Sequence, residues 1–197
     1  MTTDCMIEKL RATLKERRFT HTLGVANEAV RLAPRFGVDP EKAYIAGLLH
    51  DCAKNFSMEQ VEEYCEKYGV TLDPYCMQEK ALIHGFLGPV VARADYGVDD
   101  PEILSAIYYH TTGKPDMTPL EKLIYIADLT EPGRDADPGR NMQQFSHLRN
   151  LLDEDIDEAL IYAIGCCIMY VISKGNIIHP DSVLARNYLI ENRRRGS

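Results

Sequence analysis

The chain lacks an excess of basic charge, paired-cysteine spacings, long apolar runs and strand-like alternation, and each shortage closes off a class of function. Its 22 Lys and Arg are outnumbered by 30 Asp and Glu, a formal net charge of −8. Such a surface repels the nucleic-acid backbone on average, so no nucleic-acid partner is expected. A small anionic substrate stays compatible with it, because a local patch of metal, lysine and arginine is enough to hold phosphate. The six cysteines, at 5, 52, 65, 76, 166 and 167, show no C-x-x-C spacing. They read as free thiols in a reducing compartment, which gives a cytoplasmic expectation; Cys52 reads as a small apolar filler. The N-terminal string MTTDCMIEKLRATLKERRF has neither the apolar core nor the small-residue cleavage site of a secretory leader. The longest apolar stretch, 161–172, is short for a membrane span and is interrupted by Gly165. It reads as a buried helix, with no membrane partner expected.

What remains is helical periodicity. The 197 residues, 45% hydrophobic and 26% charged, suit one soluble domain with a full core. Asp4 is the expected cap of a first helix carrying Ile7, Leu10 and Leu14. A second runs from about Thr20 to Phe36 and stops at Gly37. Asp39-Pro40 opens a third that carries Ala43, Ala46, Gly47 and His50, and Ser57 caps a fourth with a solvated Glu59, Glu62, Glu63 and Glu66 side. Further helices are expected near 73–83, 86–96, 100–110, 118–129, 155–174 and 180–194. The one long loop, 130–141 (TEPGRDADPGRN), is a candidate for a substrate-facing role. With no convincing strand and no internal repeat, the expected fold is a single all-α domain over 1–197.

Four of the six histidines keep notable company. His50 is followed directly by Asp51, and Asp128 lies in the apolar string EKLIYIADLTE. Imidazole nitrogen and carboxylate oxygen together suit a metal whose shell phosphate oxygens complete. Taken singly, each histidine is more often a hydrogen-bonded, partly buried residue than a ligand. Asp128 is harder to dismiss: flanked by Ile124, Ile126, Ala127 and Leu129, it needs a cation, either a metal or a buried ion-pair partner. The order His21, His50-Asp51, His84, His110, Asp128, each on its own expected helix, resembles the HD superfamily of phosphohydrolases over roughly 19–134. The strings RFTHTLGVA, AGLLHDCAKN, HGFLGPVVA, YYHTTG and IADLTEPGRD are similar to its YqeK-type branch.

The resemblance implies an all-α HD-domain bundle, with a metal-site core over about 19–134 and C-terminal helices over 145–194 packed on it. It implies hydrolysis of symmetrical dinucleoside tetraphosphates into two nucleoside diphosphates by metal-activated water. It assigns His21, His50, Asp51 and Asp128 to one divalent or trivalent metal, iron in the family, with manganese or cobalt as alternatives. His84 and His110 face the same pocket, either holding a second metal bridged by Asp51 or contacting phosphate. Charge neutralisation is expected from Lys54, four residues after His50 on the same expected helix face, from Arg134 in the EPGR turn, and from Arg18, three before His21, each of them alternatively a solvated surface cation. Thr111 and Thr112, after His110, offer hydroxyls to a phosphate oxygen; Thr112 alternatively orients His110. Tyr170, Ser173 and Lys174 share a helix face and are candidates for the nucleoside side, although a lysine near a helix end is expected on helix grounds alone. His147 and His179 lie outside the pattern and read as structural or surface residues. A homodimer is compatible. The rival readings are a nucleoside monophosphatase or alarmone hydrolase, a di-iron oxygenase and a non-catalytic nucleotide-binding regulator.

Overall fold

In the computed structural model, residues 1–136 and 142–196 are described, and they contain no β-strand. The helices are α1 Thr3–Thr13, α2 Glu16–Phe36, α3 Pro40–Leu49, α4 Met58–Tyr68, α5 Pro74–Gln78, α6 Ile83–Tyr96, α7 Pro101–Tyr109, α8 Pro119–Thr130, α9 Met142–Glu154, α10 Ile156–Ser173 and α11 Pro180–Gly196. Short 3-10 turns occupy Lys80–Leu82 and Pro132–Ala136.

Local chemistry starts most of these helices. Asp39, Asp73 and Asp100 each accept a backbone N–H two residues on, with proline at the first helical position. Ser57 with Gln60 and Thr118 with Glu121 form reciprocal capping boxes. His179 uses Nδ1 to accept the Asp181 N–H at 3.2 Å, giving α11 its start and that histidine the structural role expected of it.

Four boundaries differ from expectation. Thr2, not Asp4, caps α1, and Asp4 sits in the first turn, where its charge still meets the helix dipole. α2 begins at Glu16, so Arg18 joins His21 on one helix. The 73–83 segment is broken into α5 and a 3-10 turn, and α6 starts at Ile83, which puts His84 in its first turn. α3 stops at Leu49, so the backbone from 51 to 55 is turn and Lys54 does not share a helix face with His50.

α2 packs along α3 and α8, and α7 closes the group against α3, α6 and α8. Leu32, Leu48, Leu87, Ile107, Leu123 and Ile124 are fully buried at their junction. α9 and α10 also pack on α8, and α11 packs on α10. The 161–172 stretch is part of an 18-residue helix with mean hydropathy 1.7, long and apolar enough by composition to cross a membrane. It is less buried than expected. Ala159, Leu160, Ala163 and Ile164 enter the core, while Met169, Tyr170 and Ile172 are exposed. Of the 130–141 loop, Thr130 ends α8, Pro132–Ala136 is the second 3-10 turn, and 137–141 lie outside the described residues.

Candidate metal centre

His21 comes from the second turn of α2, His50 and His110 from the C-terminal ends of α3 and α7, Asp51 from the turn after α3, His84 from the start of α6, and Asp128 from the last turn of α8. Neighbouring imidazoles meet edge to face: His21 with His50 at 5.5 Å between centroids, His50 with His110 at 5.1 Å, and His110 with His84 at 5.0 Å.

Asp51, almost fully buried, joins them. Its Oδ2 lies 3.4 Å from His50 Nε2, and its Oδ1 lies 3.1 Å from His84 Nε2 and 3.7 Å from His110 Nε2. Asp128 Oδ1 is 2.9 Å from His21 Nε2 and 3.7 Å from His50 Nε2. Donor atoms bound at about 2.0–2.2 Å to one ion stand about 3–4 Å apart, and these separations match that spacing. Two donor sets, His21/His50/Asp51 and Asp51/His84/His110, each hold their atoms within 4.8 Å of one another.

His50 carries the sharpest sign of a missing partner. Its Nδ1–H donates to the Gly47 carbonyl at 2.6 Å, so Nε2 presents its lone pair to the site. That Nε2 is buried and has no hydrogen-bond partner. A buried acceptor left so is costly, and a cation answers it. The residues therefore fit a metal.

The electrostatics agree. Burial opposes ionisation of Asp51, but His50, His110 and His84 outweigh it and hold its carboxyl well below the ordinary range. Burial likewise opposes ionisation of Asp128, and Arg134 and His21 reverse it. Burial lowers the proton affinity of His21, yet its bonds to Asp128 and Glu131 raise the net value. Burial and the neighbouring Lys54 push His84 down to about 3, so it is a neutral imidazole at physiological pH.

The site opens into a cavity of about 460 Å³. Arg18, Lys54, Arg134 and Thr111 are in its wall, with Asp51, His84, His110 and Asp128 at its polar end. Arg18 donates to Asp51 Oδ2 at 2.6 Å, and Lys54 Nζ lies 3.1 Å from His84 Nε2. Arg134 donates Nε–H to the Asp128 carbonyl at 2.6 Å and Nη2–H to Oδ1 of the same residue. Asp128 thus has an ion-pair partner and, at 18% side-chain exposure, stands at the cavity edge rather than deep in the core.

Tyr170 and Ser173 also line the cavity. Lys174 does not; its ammonium rests over the Tyr170 ring, 5.5 Å from the centroid. Thr112 is also outside the wall, and its hydroxyl donates to the Gly113 carbonyl instead of to His110. His147 is exposed against the Tyr162 ring. Cys52 is buried with its thiol on the Gly88 carbonyl, and burial pushes that thiol's pKa up, which suits a filler.

Two features escape sequence reasoning. Glu131 accepts the His21 Nδ1–H at 2.9 Å, and its place inside EPGR was the available signal. Tyr125, Leu129, Phe145 and Tyr162 give the cavity an apolar, aromatic side, drawn from three helices that no single motif connects.

The HD domain family matches residues 18–133. The chain is 39% identical over 179 residues to the symmetrical bis(5'-nucleosyl)-tetraphosphatase of Bacillus subtilis (strain 168), covering 90% of this chain and 91% of that protein. It is 30% identical over 184 residues to the protein of the same name from Halalkalibacterium halodurans, covering 93% and 95%. The crystal structure of a predicted HD superfamily hydrolase involved in NAD metabolism from Clostridium acetobutylicum is similar to it with a TM-score of 0.87, 42% identity and 98% coverage of both chains. With its ordered His and Asp residues gathered at one site on an all-α scaffold, the chain belongs to the HD-domain family, in the branch of the symmetrical bis(5'-nucleosyl)-tetraphosphatases.

Proposed function

We propose that the protein hydrolyses symmetrical dinucleoside tetraphosphates, diadenosine tetraphosphate to two ADP, at a metal centre held by His21, His50, Asp51 and Asp128. The observation that carries the reading is one cavity with two chemistries: a polar lining of Asp51, His84, His110 and Asp128, and an aromatic side. A nucleoside polyphosphate has the same two ends. A volume of about 460 Å³ is of the size that encloses a small organic ligand. A second hollow of about 330 Å³ shares Tyr162, Cys166 and Met169 with it, giving room along α10 for the other nucleoside.

The chemistry such a centre would supply is a bound water with its pKa brought toward neutral and a polarised phosphoryl oxygen, with His21, His50, Asp51 and Asp128 as the residues that would hold the ion. Imidazole with carboxylate suits iron, our assignment, and also manganese or cobalt. Asp51 belongs to both donor sets, so His84 and His110 together with Asp51 would hold a second cation. Arg18, Lys54 and Arg134 neutralise the phosphates from the wall of the cavity. Thr111, whose buried hydroxyl has no partner, donates to a phosphate oxygen. Tyr170 and Ser173 take the nucleoside side. The six free thiols suit a reducing cytoplasm.

The test is product analysis. Purified protein supplied with iron, manganese or cobalt is expected to convert diadenosine tetraphosphate to ADP alone. AMP with ATP would overturn symmetrical cleavage, and tight nucleotide binding without turnover in any of these metals would favour a regulator. Asp128→Ala is expected to lose both bound metal and turnover, read by elemental analysis beside the assay.

A further inference from the structure

Three of the site's imidazoles have Nδ1 fixed by an oxygen, in two different ways. His50 and His110 each end a helix and donate Nδ1–H to the carbonyl three residues back, Gly47 at 2.6 Å and Ile107 at 2.7 Å. Those acceptors belong to the backbone, so no side-chain change removes them. His21 lies inside α2, where the helix bonds occupy the nearby carbonyls. Its Nδ1 faces Glu131 Oε1 instead, at 2.9 Å, and a carboxylate can only accept.

The seat of Glu131 is closely made. The residue is 3% exposed, and its Oε2 accepts the Gly133 N–H at 2.6 Å. Gly24, nearly one turn beyond His21, gives it room: a Cβ there would stand 2.5 Å from Oε2. A Cβ at Gly133 would stand 2.8 Å from the same atom. Two glycines from distant parts of the chain therefore clear space for one carboxylate. Glu131 is not part of the cavity wall, so substrate does not explain it.

We infer that Glu131 is the positioning residue of the metal centre, fixing the His21 ring and tautomer through Nδ1 so that Nε2 stays available to a cation. The inference rests on the metal-centre reading above. It also makes one unit of two strings far apart in sequence, HTLG and EPG. Ligating histidines commonly need such an outer partner, and losing it weakens metal binding by roughly 10- to 100-fold.

The experiment is metal affinity rather than turnover. Chelator-stripped protein is titrated with Mn²⁺ against a fluorescent competitor, with circular dichroism reporting the fold. Glu131→Ala is expected to raise the dissociation constant roughly 10- to 100-fold. Glu131→Gln, which keeps an oxygen for His21 but turns an NH₂ toward the Gly133 N–H, is expected to fall between. Gly24→Ala, which leaves Glu131 in place and crowds its Oε2, is expected to weaken Mn²⁺ in the same direction; it decides the matter if Glu131→Ala does not fold. Affinity within twofold of the unaltered protein in folded Glu131→Ala, or in Gly24→Ala if that variant must decide, overturns the inference alone. No Mn²⁺ bound by the unaltered protein overturns the metal-centre reading and this inference with it.

Discussion

Asp128 and Arg134 show how one residue type narrows another's freedom. Arg134 grips Asp128 twice, through the main-chain carbonyl and the carboxylate, and its Nη2 also lies 3.3 Å from His21 Nε2. A planar guanidinium makes this pair of bonds from two nitrogens held in a rigid fork, which the single nitrogen of an ammonium does not reproduce. Charge-assisted hydrogen bonds of this kind contribute about 1.5–3 kcal/mol. Arg134→Lys is therefore expected to lower kcat/KM for the dinucleoside tetraphosphate about 10- to 100-fold. Steady-state kinetics check it, and an unchanged kcat/KM would leave Arg134 as packing. The need of Asp128 for a cation was legible from its apolar flanks. That Arg134 supplies one, six residues on, depends on the 3-10 turn at Pro132–Ala136 folding back over the end of α8.

At the scale of elements, the site depends on where helices stop. α3 and α7 end just before His50 and His110, and that ending frees the Gly47 and Ile107 carbonyls to receive Nδ1–H. Gly47 has a second task. A Cβ there would stand 2.9 Å from the Cα of Ala26, where α3 lies against α2. Backbone cannot move aside as a side-chain tip can, so Gly47→Ala is expected to destabilise by about 1–3 kcal/mol. At about 2–4 °C per kcal/mol for a chain of this size, Tm falls by several degrees in a thermal scan. An unchanged Tm would mean that α2 and α3 separate without cost. Helix starts were the most legible elements, because proline and Asp, Ser or Thr caps act within a few residues. The end at Leu49 has no glycine or proline stop after it, so nothing local announced it, whereas the end at Tyr109 falls where the 100–110 expectation put it, with Gly113 donating its N–H to the Tyr109 carbonyl.

For the molecule as a whole, the metal is expected to act as a ligand of the folded state only. Stripping it with a chelator should lower Tm while leaving the helical circular dichroism intact, since α2, α3, α7 and α8 share a core of their own. Metal at 100 times its dissociation constant adds about 2.7 kcal/mol. The pH dependence has a definite sign. His21 has a raised pKa in the fold, so in metal-free protein its stabilising contribution is present below about 6.5 and lost as pH rises through the raised value. A metal needs the neutral imidazole, so protons compete with it and its effect runs the other way. At a fixed, sub-saturating Mn²⁺ concentration the gain in Tm is expected to be larger at pH 8 than at pH 6. A gain independent of pH would place the ion away from His21.

Local sequence determined the all-helical class, most helix starts and the inventory of histidines and aspartates, because capping, proline geometry and 3.6-residue periodicity operate over a few neighbouring positions. The spacing of the motifs was enough to set their order along the chain. Only the tertiary structure decided that Asp51 belongs to both donor sets, that Lys54 reaches His84 from a turn, and that Thr112 and Lys174 stay out of the cavity. It also brought Glu131 to His21 and the aromatic side of the cavity to the metal centre. Those outcomes depend on directions and separations across residues far apart in sequence, 110 positions in the case of His21 and Glu131. Such geometry arises only when α2, α3, α7 and α8 pack on one another, so no local pattern encodes it.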